Sequence, residues 1–120
     1  MVVPIAKHDY VRSEPLMKAY RLIRCQGWLC GVADGTVCGA HSNWAIHGKG
    51  RSIKADDNRC ASLCSRCHHE LDQGLRLNDE QKRRMWWLAH VDTVRELQHQ
   101  NLWPAGVLVP DVEHFPEQWT

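Results

Sequence analysis

The sequence predicts an α+β domain built around a metal–thiolate centre and completed by a long helix and an extended tail. Three features predict it. Cys64-x2-Cys67 opens a helical stretch, and Cys25-x4-Cys30 supplies a second cysteine pair upstream. The segment CQGWLCGVADGTVCGA, residues 25–40, is rich in Gly, Cys and Val and carries Asp34-Gly35, a short hairpin signal. Asn78 opens the most strongly marked helix, with Asp79 and Glu80 suited to the dipole and Gln81 at the capping-box position.

The elements follow in chain order. Residues 1–14 read as a lead-in. Glu14-Pro15 opens a short helix to about Arg24, with proline tolerated in the first turn. Two short strands are expected around Asp34-Gly35, the second ending near His41. Residues 42–58, with Gly48 and Gly50, read as a loop, and 59–63 as a returning strand. A helix then runs from about Cys64 to Gly74. The long helix spans 78–101, with Met85, Trp87, Leu88, Val91, Val94 and Leu97 as its buried stripe. Trp103-Pro104 ends it, and 102–120 form an extended tail laid over the body by Val107, Leu108, Val109, Phe115 and Trp119. Trp86 and Trp87 are adjacent, so one should face away from what the other packs on, to stack on a base or, in preference, to sit in a homodimer interface or under the tail.

Composition bounds the function. A chain of 120 residues fits a single domain, 1–120, and its 43% hydrophobic content argues against disorder. No apolar run is long enough to span a membrane, and the N-terminus is too soon interrupted by Lys7 and His8 for a secretion signal. The expectation is a cytoplasmic protein with no membrane partner, in which cysteines serve as metal ligands or free thiols. The net charge of +1 does not mark a general nucleic-acid binder. The charge is unevenly spread, however. Lys49, Arg51, Lys54, Arg59 and Arg66 outnumber Asp56 and Asp57 in the middle, whereas the tail from Trp103 carries only acidic charges.

The cysteines point to a structural zinc held by Cys25, Cys30, Cys64 and Cys67, since zinc takes four thiolates in a tetrahedron. Cys38 and Cys60 are extra: either could replace Cys25 or Cys30, or be a small buried residue. A second centre is expected from histidine and carboxylate. His68 and Asp72 stand four apart on the predicted helix and share a face, where they can hold a divalent ion. His41 closes the strand opposite and is expected to face the same ion as general base, taking a proton from water that attacks phosphorus. His47, in the polar loop, is a candidate third ligand or phosphate contact. His90 and His99 fit the long helix without a role.

The motifs Ala40-His41-Ser42-Asn43, His47-Gly48-Lys49-Gly50, Lys54-Ala55-Asp56-Asp57 and Cys67-His68 with Leu71-Asp72-Gln73-Gly74 resemble the HNH endonucleases, and more closely the small phage and prophage nucleases of the YbcO type. The resemblance covers residues 25–74. It implies a ββα-metal core related to treble-clef folds, and a metal-dependent DNA nuclease acting in phage recombination or DNA processing. It also implies His41 as base, His68 as ligand of a catalytic Mg2+ or Mn2+, and Asn58 as the middle asparagine, with Asn43 as its competitor. Two positions depart from the pattern. Ala40 stands where many members have an aspartate, and Asn58 lies one residue further from Cys64 than expected.

Lys49, Arg51 and Lys54, with Asn43, are the candidate nucleic-acid contacts, and Gly48 and Gly50 allow close backbone approach. Lys82, Arg83 and Arg84 read as a solvated helix face. Only the resemblance favours DNA over RNA. The rival function is a non-catalytic zinc module that binds DNA or protein.

Overall fold

The computed structural model describes residues 8–28 and 30–120. The expected lead-in falls partly on residues 1–7, outside the described residues. The remainder is an α+β domain with two antiparallel strands and three α-helices. In order these are α1 (Glu14–Ala19), β1 (Cys38–His41), β2 (Cys60–Leu63), α2 (Ser65–Asp72) and α3 (Asp79–His99). Single 3-10 turns follow α1 (Tyr20–Leu22) and β1 (Ala45–His47). Among the described residues no helix is long and apolar enough to cross a membrane.

Both longer helices start and stop where the sequence places them. The Asn78 side chain accepts from the backbone N–H of Gln81 at 2.8 Å, and Gln81 Oε1 accepts from the Asn78 N–H at 2.9 Å. This closes the capping box and satisfies two otherwise orphan donors. The stripe of α3 is rotated from the expected one. Trp86 is fully buried and Leu88 is 53% exposed. Trp86 lies over the sheet, its indole N–H donating to the Ala40 carbonyl at 3.1 Å, while Trp87 is covered by Trp119 and Phe115 of the tail. Both adjacent tryptophans are therefore buried, on two different partners. The tail itself is anchored by Trp119, which is 7% exposed, whereas Leu108 is largely in solvent and Val109 and Phe115 are partly exposed.

The strand pairing corrects the expected hairpin. β1 pairs with β2, from Cys38 opposite Leu63 to His41 opposite Cys60, and not with the residues before Asp34. Asp34-Gly35 is a turn: Asp34 Oδ1 accepts from the Thr36 N–H at 3.0 Å, and Gly35 takes φ +83°. The preceding segment is unavailable for pairing because it folds on itself. Cys25 N–H donates to the Val32 carbonyl at 2.9 Å, and Gly31 N–H to the Cys25 carbonyl at 3.1 Å, closing a knuckle. Gly27 has no room for a side chain there, since a Cβ would fall 2.7 Å from Cys67 Sγ.

A two-stranded sheet leaves backbone groups unpaired on its outer edges, and a buried one must find other partners. β2 is buried along its whole length. Its outer edge is met by side chains and by the knuckle. Ser62 N–H donates to Thr93 Oγ1 at 2.9 Å, His90 Nδ1–H to the Cys60 carbonyl at 2.8 Å, and Gln26 N–H to the Ser62 carbonyl at 2.8 Å. The two sheet faces carry two core clusters. Ala61 and Leu63 pack with Met85, Trp86 and Trp119; Cys60 packs with Leu16, Tyr20, Ile23 and Leu97.

Candidate metal centre and histidine clusters

The knuckle and the start of α2 bring Cys25, Cys30, Cys64 and Cys67 together. Their sulfurs all lie within 4.8 Å of one another, with Cys30 and Cys64 at 3.8 Å. Tetrahedral zinc with Zn–S near 2.3 Å sets sulfurs about 3.8 Å apart, so these four cysteines could hold a metal ion such as zinc. The surroundings suit thiolates. Gly27 N–H points at Cys25 Sγ at 3.4 Å, and Arg66 reaches Cys30 Sγ at 3.9 Å. Burial raises the pKa of Cys25 and Cys67, whereas the Val32 backbone N–H lowers that of Cys30 to about 7. A divalent cation would offset the desolvation of the two raised thiols.

Cys38 and Cys60 are outside this cluster. Cys60 is buried beside Tyr20, where burial raises its pKa well above the ordinary value. Cys38 lies with Sγ 3.9 Å from His68 Nδ1.

His68 and Asp72 do share a face of α2. His68 Nε2–H donates to Asp72 Oδ2 at 3.0 Å, and the Asn43 amide donates to Asp72 Oδ1 at 2.8 Å. The Asp72 hydrogen bond raises the His68 pKa. Burial opposes ionisation of Asp72, but His68 and Asn43 outweigh it and hold its carboxyl low. Asn43 is thus engaged in fixing Asp72, although it was expected as a nucleic-acid contact. An open cleft of about 330 Å³ lies alongside, lined by Asn43, Trp44, Asp72, Asp79 and Lys82.

His41 belongs to a different cluster. Strand alternation puts it on the opposite face of β1 from Cys38, which meets His68. Gly39, on the face of His41, abuts Tyr20 and Met17. His41 Nε2–H donates to Asp57 Oδ1 at 2.9 Å. Asp57 is 3% exposed; its Oδ2 accepts from Ser13 N–H at 2.8 Å, and Arg12 Nη1 stands 3.5 Å from Oδ1. Burial disfavours the carboxylate, but His41 and Ser13 more than compensate, so its pKa is lowered. The expectation that His41 faces the ion of His68 and Asp72 is therefore corrected. Among the described residues, the four cysteines are the one group of three or more metal-type ligands. Asn43, two residues beyond His41, is the physical link between the clusters.

Two further candidates are placed in the interior. His47, expected as a third ligand or phosphate contact, is 4% exposed and accepts from the Ser42 hydroxyl at 2.7 Å. Its ring packs on Trp86, Trp87 and Trp119, and burial lowers its pKa to about 4. Asn58 is 4% exposed, and its amide donates to the Leu108 carbonyl at 3.0 Å, which ties the loop to the tail. His90, read as roleless, is fully buried between the Cys60 carbonyl and Arg59 Nη1 at 3.3 Å. Arg51 sits at the tip of a tight turn closed by Gly50 and Ile53, with Lys49 and Lys54 on either side; Arg51 and Lys54 are exposed.

Sequence reasoning missed Asp57 as the partner of His41. The signal was present in the Asp56-Asp57 doublet, but nothing local told which carboxylate turns inward. Comparison of the chain with family models, with curated proteins and with solved structures returns no match.

Proposed function

We propose that this chain is a metal-dependent nuclease of the HNH type that hydrolyses DNA phosphodiester bonds. The reading is supported by the His41–Asp57 pair at the end of β1 and the His68–Asp72–Asn43 cluster on the helix that follows β2, two separate clusters connected by the short segment from His41 to Asn43, between which a phosphodiester would lie. Asp57 fixes the Nε2–H tautomer of His41 and leaves Nδ1 as acceptor for a proton from water. The same carboxylate stabilises the imidazolium that results. His68 and Asp72 would hold Mg2+ or Mn2+, their donor atoms 3.0 Å apart. When bound, that ion supplies electrostatic stabilisation of charge on the phosphoryl and leaving oxygens. Asn43 keeps Asp72 in place. Lys49, Arg51 and Lys54 would meet backbone phosphates, giving weak and strongly salt-dependent affinity. The choice of DNA rests on the resemblance to HNH endonucleases.

The test is cleavage of supercoiled plasmid, linear duplex, single strands and a four-way junction, in magnesium and then manganese. His41→Ala purified identically runs beside the wild type. Cleavage by the wild type alone supports the reading, and equal cleavage by both refutes the assignment of the base.

A second reading has its own observation: Ala40 supplies no ligand where many HNH members have aspartate, and among the described residues three metal-type ligands meet only at the cysteines. On that reading the chain is a non-catalytic zinc module that binds nucleic acid or protein. It predicts no cleavage by the folded, zinc-loaded protein in either metal.

A further inference from the structure

On the other face of α2 from His68 and Asp72 lies a cleft of about 460 Å³, lined by Trp28, Arg66, Cys67, Glu70, Arg76, Leu77 and Met85. We propose that it binds an unpaired nucleotide of the substrate strand, the base against Trp28 and the phosphate against Arg66 and Arg76. This deepens the nuclease reading and rests on it for the identity of the ligand as DNA.

The cleft has the composition such a ligand needs. Trp28 is 45% exposed although it is the largest kind of apolar side chain, and it stands at the tip of the knuckle. The knuckle is positioned by Cys25, Cys30 and the close approach of Gly27 to Cys67. Exposed aromatic rings on a fixed support are how proteins stack bases of single strands. Leu77 and Met85 form an apolar floor, and Met85 is only 3% exposed. The rim carries two guanidinium groups against one carboxylate, Glu70, so the charge complements a phosphate. Glu70 can accept from the amino group of a base. Residues 66 and 70 lie about 200° around the helix from 68 and 72, so the cleft is separate from the candidate catalytic cluster. A strand with an unpaired nucleotide, as at a branch or a frayed end, could engage both.

The experiment is fluorescence anisotropy with a labelled single-stranded oligonucleotide, the same strand carrying abasic sites, and the matching duplex, without added magnesium or manganese. The expected result is tighter binding of the intact strand than of the abasic one. Trp28→Ala should weaken single-strand binding about tenfold, bring it level with abasic binding and leave duplex binding unchanged. Trp28→Phe should restore most of the loss. Arg76→Ala should weaken intact and abasic strands alike and lower the salt slope by about one. Zinc content, measured for each variant, separates loss of the cleft from loss of the knuckle. Equal binding of intact strands by the wild type and a zinc-loaded Trp28→Ala overturns the proposal. Trp28-dependent binding without plasmid cleavage keeps the cleft and refutes the nuclease; cleavage without Trp28 dependence does the reverse.

Discussion

His41 Nε2 lies 2.9 Å from Asp57 Oδ1, and this pair joins the last residue of β1 to the loop that leads into β2. The carboxylate is also fastened to Ser13 ahead of α1, so three separate parts of the chain converge on one buried acid.

Asp57→Asn should lower cleavage about 100-fold with little change in KM, because general-base catalysis is worth roughly 10²–10⁴ and the amide no longer stabilises the imidazolium. His41→Ala should lose at least as much. Kinetics on one plasmid substrate check both. Stability follows the same carboxylate. Its folded pKa is lowered, so its contribution is present above the unfolded value near pH 4 and fades as pH falls through the lower folded value.

Metal content should distinguish the cysteines. Cys64→Ser and Cys67→Ser should lose the bound ion and most of the fold, whereas Cys38→Ser and Cys60→Ser should keep one zinc per chain. Elemental analysis beside circular dichroism reads both effects. Strong chelation should unfold the wild type, since ion binding and folding are coupled in so small a domain.

Acid should weaken the fold over two pH ranges, the upper one set by its buried imidazoles and the lower one by Asp57. His47 and His90 are held neutral by burial, at about 4 and about 3. Between pH 6.5 and those values the unfolded chain takes up protons that the folded chain refuses. Their contribution is complete above about pH 7 and is lost on acidification, by several kcal/mol in all at about 1.4 kcal/mol per pKa unit. His47→Gln should be less stable at neutral pH yet show a shallower decline between pH 6.5 and 4. Urea midpoints across that range, with zinc content followed separately, decide it.

Thr93→Val should cost about 1–3 kcal/mol, because it leaves the Ser62 N–H buried and without its acceptor. Thr93→Ser should restore most of the loss. Urea denaturation at neutral pH gives the difference directly.

Local chemistry was legible in the sequence. The capping box, the spacing of Cys64 and Cys67 and the shared face of His68 and Asp72 depend only on near neighbours, and each appears where the residues place it. Pairings across long separations were not. Asp34-Gly35 reads as a hairpin, yet the thiol knuckle claims the residues that would have formed its first strand. Hydrophobic spacing alone could not rank Trp86 above Leu88, because the indole N–H also needs the Ala40 carbonyl. His47 looked like a loop ligand because its burial comes from Trp119, distant in sequence. Asp57 and His41 are likewise brought together only by closure of the loop between the strands.

The covering of β2 by His90, Thr93 and Gln26 has a consequence for self-association. An open strand edge recruits strands from other molecules, and here the Ser62 N–H and the carbonyls of Cys60 and Ser62 are already occupied. Lengthening the sheet through β2 would have to break these three hydrogen bonds. Continuous β-pairing of copies through that strand would first require α3, which carries Thr93 and His90, to be pulled away.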